Sequence, residues 1–237
     1  MGSENVAGTS LRNAISNAMA RIMRESSGRG PARTRTFICD RFVFAMLDDV
    51  LTPGERTLRA GGRGGLVRRA RLRFEEMMSA TFTSQIEALT GARVLAYHSQ
   101  IVFQPDMAVE IFVLDRPPHG GVRSAADAQQ RTAIANAVSR ITNEHWGKGP
   151  THTRAYIHDD FVFCVLEDVL TTAERTLAAG GETDLVRELR LEIHEIARRE
   201  LAEQVEVLTG RRVLACHGQI AFDPDIQFAI FVLADDG

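Results

Sequence analysis

The chain contains one long stretch twice. Residues 12–114 align with residues 131–233 without a gap, at a constant offset of 119 (131 − 12), and 55 of the 103 aligned positions are identical. The clearest part is Gly28–Leu58, GRGPARTRTFICDRFVFAMLDDVLTPGERTL, against Gly147–Leu177, GKGPTHTRAYIHDDFVFCVLEDVLTTAERTL. A period of this length is far too long for a solenoid or propeller repeat. It marks a duplicated domain whose copies are each large enough to bury a core. The boundaries follow: a polar, disordered N-terminus at 1–9, a first unit at 10–114, a Pro/Gly-containing linker at 115–128 and a second unit at 129–234.

Each copy reads as the same series of elements. Leu11, Ile15, Ala18 and Ile22 recur at three- and four-residue steps, which predicts a helix over Ser10–Glu25. Glycines and a proline stop it. Thr34–Cys39 and Arg41–Leu47 are rich in aromatic and β-branched residues and predict two strands, with Asp40 at a tight turn or bulge. Thr52-Pro-Gly-Glu55 and Thr171-Thr-Ala-Glu174 are capping boxes, in which the threonine and glutamate each satisfy a backbone N–H at a helix start. A glycine-rich break precedes the longest helix, about Leu66–Leu89, which Thr90-Gly91 closes. Arg93–Phe103 and Met107–Leu114 are two more strands.

The order α-β-β-α-α-β-β gives an α+β fold: two tandem αββ(α)αββ units, each a four-stranded, mostly antiparallel sheet with helices on one face. Without the short helix, αββαββ is a circular permutation of the ferredoxin-like order. The third and fourth strands are apolar on both faces, with Leu95, Tyr97, Ile101 and Phe103 on one side of the third and Val94, Ala96, His98, Gln100 and Val102 on the other. A sheet with one face in water alternates more cleanly. The expectation is therefore an intramolecular pseudo-dimer, in which the other repeat covers the second face.

Composition excludes several classes. With 28 Lys+Arg against 31 Asp+Glu, the chain lacks the basic footprint of a nucleic-acid-binding protein. The first unit has an arginine cluster at Arg59, Arg63, Arg68, Arg69, Arg71 and Arg73, but Ala178, Glu182 and Glu188 replace three of these in the second. Cys39, Cys164 and Cys216 show no CxxC spacing and read as buried thiols of a reducing compartment. No apolar run reaches membrane-spanning length, so work at a membrane requires docking on a partner. GxxxxGK[ST] is absent, and no nucleophile–histidine–acid set, metal-ligand spacing or cofactor motif can be assembled.

Four matched pairs of polar side chains fall on elements otherwise built for a core: Arg35/Arg154, Arg71/Arg190, His98/His217 and Gln100/Gln219. Burying such groups without partners is costly, so carboxylates, water or a ligand must meet them. The arginine fork suits a small anion such as bicarbonate or phosphate, with the histidines making its affinity pH-dependent. The structural alternative is an interface role for the histidines and pairing of the arginines with Asp40 or Glu76 (Asp159 or Glu195 in the second copy). Trp146 reads as packing for its loop.

Taken in order, Gly28/Gly30/Pro31, Leu51-Thr52/Glu55/Leu58, Arg71, Thr90-Gly91/Val94 and Phe112-Val113-Leu114 resemble the MpsC family. The second copy repeats the pattern at Gly147/Gly149/Pro150, Leu170-Thr171/Glu174/Leu177, Arg190, Thr209-Gly210/Val213 and Phe231-Val232-Leu233. The family takes its name from a bacterial sodium-translocating, membrane-potential-generating system. The resemblance implies a cytoplasmic, non-catalytic accessory or regulatory protein, peripheral to the membrane through transporter subunits that handle cations or inorganic carbon. It supplies no catalytic residues. The competing function is a small-anion sensor or enzyme with a site between the repeats; a homo-oligomer stays open.

Overall fold

Helix caps and turns set where the elements of this chain begin and end. The computed structural model describes residues 2–118 and 128–234. They fall into two units, Met1–Arg123 and Ser124–Gly237, each taken by itself below. The first holds α1 (Gly2–Ser27), β1 (Arg33–Cys39), β2 (Phe42–Asp48), α2 (Pro53–Ala60), α3 (Gly64–Thr90), β3 (Val94–Phe103) and β4 (Asp106–Leu114). The second holds α4 (Ala128–Trp146), β5 (His152–His158), β6 (Phe161–Glu167), α5 (Thr172–Ala179), α6 (Thr183–Thr209), β7 (Val213–Phe222) and β8 (Asp225–Leu233). Residues 119–127, most of the expected linker, lie outside the described residues.

The sheets have the same strand order, β1-β2-β4-β3 and β5-β6-β8-β7. Every pairing in them is antiparallel. The fold is thus the expected α+β pair of tandem units, and the strand order is the one that permuting a ferredoxin-like sheet produces. One element departs from expectation. Helix α1 starts at Gly2 and takes in residues 2–9 of the 1–9 stretch read as disordered. Low hydrophobicity argued for disorder there, but no proline separates these residues from the amphipathic turns that follow, so the helix runs on outward.

Local chemistry fixes the ends. Both capping boxes form: the Thr52 hydroxyl accepts from Glu55 N–H at 3.3 Å and Glu55 Oε2 accepts from Thr52 N–H at 2.7 Å, with the same 3.3 and 2.7 Å at Thr171 and Glu174. The long helices end on left-handed glycines, Gly91 at φ 65° and Gly210 at φ 71°. Asp40 and Asp159 take φ 53° and 47° in the hairpin turns, a conformation that aspartate tolerates better than most residues.

Burial then follows from alternation. Val43, Ala45, Leu47, Phe112 and Leu114 pack with Ile15, Met19 and Ile22 of α1 and Phe82 and Ile86 of α3. The opposite face of the same strands carries Phe42, Phe44 and Met46 beside Val113, Ile111 and Val109. A bulge between Val94 and Ala96 changes one expected assignment. Val94 joins the helix-side core with Tyr97, while Leu95 is 37% exposed. The extra residue of a bulge reverses the alternation on one side of it, and residue type alone gives no sign of that.

Candidate functional site

Arg71 leaves α3 eight residues into the helix and is 5% exposed. Its Nε and Nη2 donate to Glu55 Oε1 and Oε2 at 2.5 and 2.6 Å, and Nη2 also reaches Val50 O at 2.8 Å. Arg190 repeats this with Glu174, at 2.8 Å to each oxygen, and with Val169 O at 2.6 Å. The glutamate of each capping box therefore serves two partners, the N-cap backbone and a buried guanidinium. Burial alone would raise the Glu55 carboxyl, but the Arg71 hydrogen bond and the Thr52 N–H outweigh it and hold the pKa below its ordinary value. The adjoining loop is pinned from its other side. Asp106 Oδ1 accepts from Val50 N and Leu51 N at 3.0 and 3.1 Å, and Arg29 donates to Leu51 O at 2.6 Å. Asp225 and Lys148 do the same for Val169 and Leu170. These shared residues hold the fold; their donors are met within the unit, by Glu55 and Glu174 rather than Glu76 and Glu195.

The other positions singled out from sequence lie across the sheet from Arg71. In register, Arg35 stands beside Met46, Met46 beside Val109 and Val109 beside Gln100. Arg35 and Gln100 thus share a face but sit on opposite edge strands, roughly 14 Å apart at the usual strand spacing. His98 faces the same way, beside Ile111. Arg35 pairs with Asp48 at 3.2 Å and Arg154 with Glu167 at 3.6 Å, not with Asp40 or Asp159. His217 and Gln219 repeat the placement beside Ile230 and Phe228. Within neither unit do the arginine, histidine and glutamine positions converge on one point.

What does converge in the first unit is a set of residues the sequence reading passed over. Glu110 of β4 points to the helix side and is fully buried. Tyr97 Oη donates to its Oε2 at 2.6 Å, whereas Oε1 has no hydrogen-bond partner. Glu75, one turn beyond Arg71 on α3, is 6% exposed. Ser99 stands opposite Glu110 in the ladder, and its hydroxyl, close to both carboxyl groups, lowers the pKa of each. Burial raises the pKa of each carboxyl, and the negative charge of Glu110 raises Glu75 further. The Arg71 cation lowers both, and Glu76 adds a small rise to Glu75. The pair holds a proton at pH values where an exposed glutamate has lost it. Tyr97 is itself fixed between Phe82 and Phe112, at centroid distances of 5.6 and 5.0 Å.

The second unit fills the same space with different chemistry. Glu75, Tyr97, Ser99 and Glu110 correspond to His194, Cys216, Gly218 and Ala229. His194 is 4% exposed and lies on Gly218, with Nε2 at 3.7 Å from Cys216 Sγ. Burial, helped by the nearby His217 and Arg198, pushes the His194 pKa down to about 4, and burial pushes the Cys216 thiol well above its ordinary range. Arg190 gains Gln227 Oε1 at 2.8 Å where the first unit has Ala108.

The sequence matches the family described as Na+-translocating membrane potential-generating system (MpsC) over residues 8–116 and again over residues 127–235. The chain belongs to the MpsC family. No curated protein and no solved structure matches it. The two MpsC units thus share a frame and differ in what lies behind it. Burial favours a neutral imidazole and a protonated thiol, the opposite of the shifts that activate a Cys–His pair. Among the described residues no cluster of three or more His, Cys, Asp or Glu side chains suits a metal ion. No described helix is long and apolar enough to cross a membrane. The acid pair had a legible signal. Glu110 interrupts the apolar run MAVEIFVL, and Glu75 falls on the Val67, Arg71, Phe82, Ile86 stripe of α3.

Proposed function

We propose that this MpsC-family chain is a non-catalytic accessory protein of a Na+-translocating, membrane-potential-generating system, and that the Glu75–Glu110 pair of its first unit is a proton-responsive element. One observation carries the second half of this reading: two units with the same fold differ at the pair. The second unit builds the same sheet and helices with His194 and Ala229 in place of the two glutamates. The fold has no need of the acids, yet burying two carboxyls beside one another is costly. A perturbed, buried carboxyl pair retained against that cost supports a functional role. The pair's protonation changes a charge next to Arg71, and through Arg71 it bears on Glu55, α2 and the Val50–Leu51 loop. The exposed helix α2 is the surface on which such a signal would be read by a partner.

The family name and the absence of a spanning helix among the described residues support an association with membrane subunits made by docking. The test is affinity purification of the full chain from membranes of a native host, at pH 6 and pH 8, followed by mass spectrometry. Cation-transport subunits should co-purify, in a pH-dependent amount for wild type and a pH-independent amount for Glu75→Gln. Co-purification of none would remove the accessory role. Equal pH dependence in both proteins would remove the acid pair from it.

A further inference from the structure

The α2–α3 corner of the first unit and the α5–α6 corner of the second each expose three leucines, two of them at matching positions (Leu66/Leu185 and Leu72/Leu191), set among opposite charges. Leu58, Leu66 and Leu72 are 40, 47 and 42% exposed; Leu185, Leu189 and Leu191 are 44, 45 and 37% exposed. Three positions reverse sign between the copies: Arg63 against Glu182, Arg69 against Glu188 and Arg73 against Glu192. From Arg56 to Phe74 the first unit has no acidic residue, whereas the corresponding stretch of the second has four, Glu182, Asp184, Glu188 and Glu192. Arg63 and Arg69 have no ion-pair partner within the described residues, and neither do Glu182, Glu188 and Glu192. The nearby Arg68 and Arg187 lie over Phe103 and Phe222, at 5.5 and 5.3 Å from the ring centroids, so the ground beneath the charges is alike. The first corner is also concave, a groove lined by Leu58, Gly62, Arg63, Gly65, Leu66 and Arg69.

We infer that the basic corner of the first unit docks on the acidic corner of the second unit in another copy of the same chain. Exposed leucines supply apolar area that two like corners would also supply. Charge decides the pairing. Two basic corners or two acidic corners would set like charges against each other, and a mixed pair sets arginines against glutamates whichever way the helices run. Each chain carries one corner of each kind, so every contact joins unlike corners of two chains. The contact is independent of the acid pair and of any membrane partner.

Sedimentation velocity of the full chain tests this across protein and salt concentration. Wild type should associate with rising concentration, and association should weaken as salt shortens the Debye length from about 30 Å at 0.01 M to about 3 Å at 1 M. Arg63→Glu with Arg69→Glu sets glutamates against Glu182 and Glu188 and should sediment as monomer. Glu182→Arg with Glu188→Arg sets arginines against Arg63 and Arg69 and should do the same. Mixing these two proteins should restore a complex, and a chain carrying all four reversals should self-associate as wild type does. All four sites are exposed, and an unchanged circular dichroism melt confirms each fold. A wild type that stays monomeric at low salt and its highest soluble concentration would overturn the inference, as would reversals that leave association intact. Binding of a monomeric wild type to phosphatidylglycerol vesicles would reassign the basic corner to lipid.

Discussion

Gly218 lies so close to His194 that a Cβ on it would meet the imidazole Cγ at 2.6 Å. In the first unit the corresponding residues are Ser99 and Glu75, and there a carboxyl in place of the ring leaves room for a hydroxyl beside it. The two interiors therefore change as sets. A similar exchange occurs at the sheet's other edge, where Ser16 and Thr36 hydrogen-bond at 2.8 Å and their counterparts are Ala135 and Ala155.

Gly218→Ala should destabilise the protein by about 1–3 kcal/mol, the usual range for overpacking a core. The same change in a His194→Ala background should cost far less, since the ring it strikes is gone. Urea denaturation of the four proteins in this cycle measures the coupling.

The acid pair sets a pH dependence of known sign. Both carboxyls have raised pKa values in the folded chain, so folding favours their protonated forms. The stability this contributes is complete below the unfolded value of about 4.3 and is lost as pH rises through the folded values. Relative to wild type, Glu75→Gln should therefore gain stability as pH increases from 5 to 9. Denaturation midpoints of the two proteins, compared at each pH, check it; parallel curves would show that the pair does not titrate in this range.

Arg71→Ala should cost about 3–5 kcal/mol, because it strands the Glu55 carboxyl and Val50 carbonyl in a largely desolvated place. Arg190→Ala should cost at least as much, since it also strands Gln227. Arg71→Lys should recover part of the loss, as a lysine cannot span both Glu55 oxygens in a fixed fork. Chemical denaturation reads all three.

Phe42, Phe44, Met46, Val109, Ile111 and Val113 make the second face of the first sheet apolar. From the sequence we expect the other repeat to cover it. The first unit expressed alone, residues 1–118, should then self-associate or bind 8-anilinonaphthalene-1-sulfonate strongly, and the whole chain should not. A well-behaved, dye-silent single unit would remove the need for a cover.

Much of the architecture was legible in the residues because the signals are local. Capping boxes, glycine caps and strand alternation depend on neighbours a few positions apart, and the gapless duplication repeated each of them. The bulge at Val94–Ala96 was not legible, because an inserted residue leaves no mark in residue type. The acid pair has no counterpart in the second copy, so the duplication does not point to it. Arg35, Arg71, His98 and Gln100 recur at Arg154, Arg190, His217 and Gln219, and the arginines among them are met by Asp48, Glu55, Glu167 and Glu174. Glu75 and Glu110 recur nowhere, and only their burial on the helix side of the sheet brings them together with Tyr97 and Ser99.

The double duty of Glu55 and Glu174 has a consequence for how such a chain can change. One carboxylate ties the start of a short helix to the third turn of a long one, so the scaffold is set by residues outside the space behind it. That space is then open to exchange: positions 75, 97, 99 and 110 can be rewritten together while the frame stays fixed. A tandem gene carries a spare, and the spare is where new chemistry can be tried without unfolding the original. Chimeras that move the four residues of one unit into the other would show how far this interchange extends.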